Sequence, residues 1–199
     1  PGGPKDIIPP EIIYIYPENG TLNFSDKYFE IDFSEYVDKL SLLDAFFVSP
    51  EIENIEYDWS GTSVTISFDD TLAENTTYTI SIGSGIKDLN NQNPMLNATN
   101  VSFSTGDKIN VGRISGTVFD KDINGTMIFA YHKSDSFANP ITNKAQNITQ
   151  VGENGQYQLL GLRNGEYRLF AVKDANGNRI YNIGEDSYGV VSQTITLKD

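Results

Sequence analysis

The densest set of potential ligand oxygens in this chain runs from Asp174 to Glu185, reading Asp-Ala-Asn-Gly-Asn-Arg-Ile-Tyr-Asn-Ile-Gly-Glu. With Asp174 as position 1, oxygen-bearing side chains stand at positions 1, 3, 5, 9 and 12 (Asp174, Asn176, Asn178, Asn182 and Glu185), and the backbone carbonyl of Ile180 falls at position 7. That is the spacing by which a single loop wraps a hard cation such as Ca2+ in six or seven oxygens. Two departures oppose it. Arg179 occupies position 6, where the sharp turn calls for Gly, and only Asp174 and Glu185 bring negative charge. The competing reading is structural: Asp174 and Asn176 make side-chain-to-backbone turns, and Asn176-Gly177 reverses the chain.

Other chemistry is sparser. His132 is the single histidine, at the end of a strand pattern, and neither Cys nor a G-x-S-x-G segment accompanies it. A nucleophilic relay or an imidazole-thiolate metal site therefore lacks its parts, and a solvated strand-end histidine is the expectation. Asp32 with Glu35, and Asp69 with Asp70, are the carboxylate pairs a glycoside hydrolase would need, but each falls on the polar face or the end of a strand pattern. No catalytic residue is assigned, and a non-enzymatic chain is expected. Trp59, with Tyr57, could offer a stacking platform to a glycan; the alternative is that both belong to the core. Seven Asn-x-Ser/Thr triplets begin at Asn19, Asn23, Asn75, Asn97, Asn100, Asn124 and Asn147, glycan acceptors only in a eukaryotic secretory protein.

These residues have to be held by strands. Aromatic residues make up 12% of the chain, mostly Tyr and Phe, which favours sheet over helix. Phe29, Ile31 and Phe33 alternate with Glu30 and Asp32. The same period of two recurs at Ile13 to Tyr16, Val64 to Phe68, Tyr78 to Ile82 and Val101 to Phe103. Only Asp38 to Ala45 suggests a helical turn. A second series begins at Ile114-Ser115-Gly116-Thr117-Val118 and continues through Met127 to Tyr131, Tyr157 to Leu159 and Tyr167 to Ala171, with a last strand expected over Val190 to Leu197. Asn164-Gly165 fits a hairpin reversal between two of these strands.

The reading is all-β: two tandem β-sandwich domains, with an extended leader over residues 1–10, a first domain over 11–106, a linker over 107–110 and a second domain over 111–199. Charge follows this division. Residues 1–106 carry 17 acidic and 4 basic side chains, whereas residues 107–199 carry 10 of each, so the whole net charge of −13 lies in the first half. Such a field repels phosphate backbones and anionic membranes, which excludes nucleic acid as an expected partner. No apolar run approaches the length of about 18 residues needed to span a bilayer.

The first domain resembles bacterial immunoglobulin-like domains of S-layer and envelope proteins. The resemblance is carried by Tyr16-Pro17-Glu18-Asn19-Gly20, by Ile31 to Val37, by Thr71-Leu72-Ala73-Glu74-Asn75-Thr76-Thr77-Tyr78 and by Phe103-Ser104-Thr105-Gly106. The second resembles transthyretin-like (carboxypeptidase regulatory-like, prealbumin-like) domains through Ile114 to Val118, Gly155-Gln156-Tyr157 and Leu162 to Tyr167. With the Pro1 to Pro10 leader, the tandem is similar to a Bacteroidetes-type envelope lipoprotein family. That resemblance implies an extracytoplasmic location, on the outer membrane or cell surface, through a lipid anchor upstream of this chain. It also implies that the chain is part of a longer protein and that its role is a structural spacer or protein-interaction module. The alternative is a glycan-binding module of a carbohydrate-handling system. The expected partner is an envelope protein or a glycan, and no cofactor is expected beyond a possible Ca2+ in the Asp174–Glu185 loop.

Overall fold

The computed structural model describes residues 6–123, 125–133, 139–152 and 154–198. Among the described residues the chain is all-β apart from one short helix, and it divides into two compact units, residues 1–48 with 52–109 and residues 49–51 with 110–199.

The first unit is a β-sandwich. One sheet has the order β1 (Ile12–Tyr16), β2 (Tyr28–Phe33), β5 (Ser63–Phe68), β4 (Ile55–Ser60), and the other has the order β3 (Phe46–Ser49), β6 (Thr77–Ile82), β7 (Thr99–Ser104). Alternation decides the faces. Phe29, Ile31 and Phe33 of β2 are buried beside Ile66 and Val64 of β5, their register partners being Phe29↔Ile66 and Ile31↔Val64, while Glu30 and Asp32 point the other way. The opposing sheet contributes Val48, Tyr78, Ile80, Ile82, Val101 and Phe103 to the same core. Phe103 sits at its centre, with ring centroids 4.6 Å from Phe24, 5.6 Å from Phe29 and 5.4 Å from Tyr78.

The one helix, α1 (Lys39–Ala45), matches the helical turn expected there. Asp38 caps it by accepting from the Leu40 amide at 3.0 Å, and Leu42 and Ala45 form its buried stripe. It ends where Phe46-Phe47-Val48 changes the apolar period from helical to alternating, and the chain enters β3.

In the second unit, β8 (Gly112–Thr117) pairs with β11 (Gln156–Leu162), and a larger sheet runs β10 (Asn147–Gln150), β9 (Thr126–His132), β12 (Gly165–Lys173), β13 (Ser187–Val190), with β14 (Ile195–Leu197) also on β12. Ile114, Leu159 and Leu162 from the small sheet meet Ile128, Ala130, Tyr167 and Leu169 from the large one in a single core.

Two local expectations are corrected. The single last strand is two: β13 and β14 both lie antiparallel to β12, pairing Phe170 to Lys173 and Gly165 to Tyr167 respectively, because nine-residue β12 offers room for both along one edge. The Asn164-Gly165 reversal is not a hairpin, since β11 and β12 belong to different sheets. Leu159 and Leu162 before the turn and Tyr167 and Leu169 after it must meet across the core, so the chain arches from one sheet to the other. The Tyr167 hydroxyl closes that arch by donating to the Arg163 carbonyl at 2.9 Å.

Candidate functional site

The Asp174–Glu185 loop leaves the end of β12 and leads into β13. Its first residues fold as the spacing requires. The two carboxylate oxygens of Asp174 accept from the amides of Asn178 at 3.2 Å and Arg179 at 2.7 Å, and the Asn176 side-chain oxygen accepts from the Asn178 amide at 3.1 Å. Arg179 takes φ 60°, the left-handed turn ordinarily left to Gly, so the main chain adopts the sharp bend despite the side chain. The guanidinium is turned to Glu51, 2.9 Å away and grouped in the same unit.

The rest of the loop closes on itself. The Asn178 oxygen accepts from the Ile180 amide at 2.9 Å and from Asn182 Nδ2 at 3.2 Å; the Ile180 carbonyl accepts from Asn182 Nδ2 at 3.0 Å; and Asn178 Nδ2 donates to the Asn182 oxygen at 3.3 Å. Glu185 is exposed. The carboxylate that organises the loop is its neighbour Asp186, only 8% exposed, which accepts from the amides of Ala175 at 2.9 Å and Asn182 at 2.7 Å and from Asn182 Nδ2 at 3.0 Å. Desolvation pushes this carboxyl up, but the three hydrogen bonds outweigh it and hold it below the ordinary aspartate value. Apart from Glu185, each of the six proposed ligands thus has its oxygen on a donor inside the loop. Asx turns account for the Asp174 and Asn176 geometry, and as arranged the donor set fits its own amides rather than a cation stripped of water.

Asp88 repeats this device in the first unit, and it has no counterpart among the expected residues. It is fully buried. Its Oδ1 accepts from the amides of Asn90, Asn91 and Gln92, and its Oδ2 from that of Asn93, so one carboxylate ties down a whole polar loop. The bond from the Asn91 amide, ahead of opposing desolvation, leads a set of interactions that lowers its pKa. Burial, then the charges of Asp6 and Asp88, push neighbouring Glu35 up. Opposite shifts in adjacent carboxylates can mark an acid/base pair. Here the lowered member is buried and bonded to amides, which makes it a structural group.

Of the other carboxylates, Asp32 lies opposite Tyr14 and Ser63 on the outer face of its sheet, and Asp70 accepts from the Glu53 amide at 2.7 Å. Trp59 and Tyr57 project inward, partly buried against the first core, because their register partners Val64 and Ile66 are core residues. Trp59 stacks on Phe33 with centroids 6.5 Å apart, and Lys39 Nζ covers its ring at 5.2 Å. Tyr57 meets Phe46 edge-on at 6.1 Å. His132 is partly buried, edge-on to Tyr167 at 4.9 Å, with Nε2 3.1 Å from the Asn164 carbonyl. No group of three or more His, Cys, Asp or Glu side chains suited to a metal occurs among the described residues.

Residues 6–105 match the profile of the bacterial Ig-like domain. Among solved structures, the chain is similar to the N-terminal part of the bacterial S-layer protein SbsC, at 14% identity and a TM-score of 0.35, over 96% of this chain and 45% of that one. It is also similar to an L,D-transpeptidase from Mycobacterium smegmatis, at 13% identity and a TM-score of 0.38, over 82% of this chain and 76% of that one. The chain thus spans less than half of the S-layer fragment. No curated protein matches it.

Proposed function

This chain belongs to the bacterial Ig-like domain family, and we propose on that footing that it is a non-catalytic structural module of the bacterial cell surface. The observation that carries the reading is what the best-placed carboxylates do. Asp88, Asp174 and Asp186 spend their oxygens on backbone amides of their own loops, which is how a scaffold keeps long polar loops rigid. Rigid sandwiches of this kind project loops, or a neighbouring segment, away from a surface.

The finer assignment rests on resemblance. Residues 11–106 and 111–199 form two domains joined at 107–110, the second of them transthyretin-like, in an outer-membrane or cell-surface lipoprotein of the Bacteroidetes type anchored by lipid upstream of this chain. Ile114 to Val118, Leu162 to Tyr167 and the Pro/Gly-rich leader support this. No helix among the described residues is long and apolar enough to cross a membrane. Labelling the producing cell with a lipid precursor and fractionating its envelope tests the anchor; recovery of the unlabelled protein in the soluble fraction overturns it.

The partner is an envelope protein, and a pull-down from envelope extract that also screens glycans tests this. Recovery of a defined oligosaccharide would replace the spacer reading with glycan binding. Titration with Ca2+ is expected to give neither heat nor thermal stabilisation. Saturable binding that is lost in Asp174→Asn would instead assign Asp174, Asn176, Asn178, Ile180, Asn182 and Glu185 as its ligands.

A further inference from the structure

We propose that Asn164-Gly165 is a self-modifying site, at which the folded chain promotes conversion of Asn164 to aspartate and isoaspartate through the hydrogen bond from His132. Three observations converge on this arch. Asn164 is exposed. The residue after it is Gly165, whose missing Cβ would otherwise stand 2.1 Å from His132 Nε2. And His132 Nε2 lies 3.1 Å from the carbonyl oxygen of Asn164. A carbonyl can only accept, so Nε2 carries the proton and donates it.

That bond falls on the reactive peptide group. In an Asn-Gly pair the amide nitrogen of Gly165, here the first residue of β12 opposite Leu197, must give up its proton, and it then attacks the side-chain carbon Cγ of Asn164. A C–N bond forms, the Cγ–NH2 bond breaks, and the departing nitrogen takes up a proton from water and leaves as ammonia, giving a five-membered succinimide. Water then opens the ring at either carbonyl, leaving an aspartate or an isoaspartate. No electrons are exchanged, and water is the one co-reactant. When the Gly165 nitrogen is deprotonated, its negative charge is shared with the Asn164 oxygen of the same peptide bond. A fixed donor on that oxygen stabilises the anion where its charge develops, as an oxyanion hole does.

The chain supplies its own controls. Asn19, Asn154 and Asn176 also precede Gly, but each has its side-chain oxygen held by a backbone amide, from Ser102 at 2.9 Å, Gln156 at 3.0 Å and Asn178 at 3.1 Å respectively. Those bonds fix the carboxamide and resist the rotation that ring closure needs. None of the three has a histidine bonded to its carbonyl among the described residues.

Incubating the folded chain at constant mildly alkaline pH and mapping peptides by mass spectrometry tests the proposal. Asn164 is expected to lose its carboxamide about tenfold faster than Asn176, the rate equivalent of one net hydrogen bond. The Asn164 rate, and with it the ratio, should fall in folded His132→Phe, which keeps a ring against Tyr167 but has no donor, while the Asn176 restraint keeps the ratio above unity. Should that variant not fold, the rate of Asn164 itself in the unmodified chain, folded against unfolded in urea, serves instead; the ratio does not, because unfolding also frees Asn176. An Asn164 rate no greater than that of Asn176 in the folded chain overturns the proposal. So does a ratio that survives unchanged in folded His132→Phe, or an Asn164 rate no slower in urea than in the folded chain.

Discussion

A carboxylate removed from water is stable only if donors replace its hydration, and Asp88 replaces it with four backbone amides. Because these bonds favour the charged form, the folded-state pKa lies below its unfolded value of 3.8. A depressed carboxyl stabilises the fold fully above its unfolded pKa, and that stability is lost as pH falls through the folded value. Acid unfolding of the first unit should therefore begin below about pH 4. Asp88→Asn should lower stability at neutral pH and flatten the acid limb, as read by circular dichroism against pH. An unchanged acid limb would mean that other carboxylates govern it. Asp186→Asn should behave likewise in the second unit, since that carboxyl is also lowered. Neither residue stands out in the sequence. Asp88 is followed by a run of Asn and Gln that reads as an ordinary polar loop, and Asp186 is hidden behind Glu185, which has the better ligand spacing. What separates them is burial, a property of the packed chain. The Asp174 turn was legible because its bonds are local, reaching four and five residues ahead.

At the scale of elements, β2 and β5, six residues each, show their inward and outward faces directly in the sequence, whereas β3 and β10, four residues each, carry too short an alternation to mark a strand. The Asn164-Gly165 reversal was placed correctly, but which strands it pairs is decided by the core: a turn residue fixes that the chain bends, not which sheet receives it. The energetic consequence is testable in β2 and β7. Phe29 and Phe103 are both 0% exposed and in ring contact. Truncating either to Ala should cost about 3–5 kcal/mol in chemical denaturation, and the double variant should lose less than the sum, because one cavity serves both. Trp59→Ala should cost less, about 2 kcal/mol, since its ring is only partly buried beside Phe33 and Lys39. A loss near zero at Trp59 would detach it from the core and reopen it as a binding residue. In the arch, Gly165→Ala meets both a φ of 139° and a contact of 2.1 Å with His132 Nε2, so it should destabilise the second unit by more than its one added methyl suggests.

For the molecule as a whole, the uneven charge is visible by counting residues along the sequence, and it separates the two halves energetically. Residues 1–106 hold 17 acidic against 4 basic side chains, and residues 107–199 hold 10 of each. Like charges packed on one small domain repel one another, and their repulsion is relaxed when the chain expands. Added salt shortens the reach of that repulsion, to about 8 Å at physiological ionic strength. The first unit should therefore gain thermal stability as salt rises, while the second changes little. Trp59, the single tryptophan, lies in the first unit against Phe33, so its emission reports that unit's melting without contribution from the other. A midpoint that climbs from low to high sodium chloride is the expected result, with a smaller rise for a probe in the second unit such as the His132 ring resonances. If both units shift equally, the salt effect is a general one on apolar burial rather than a screening of the acidic half. Repeating the melt with choline chloride at matched ionic strength keeps the screening and changes the cation. A gain that appears with sodium but not with choline would mean that the acidic half binds the ion, and its charge would then be part of a site instead of a field.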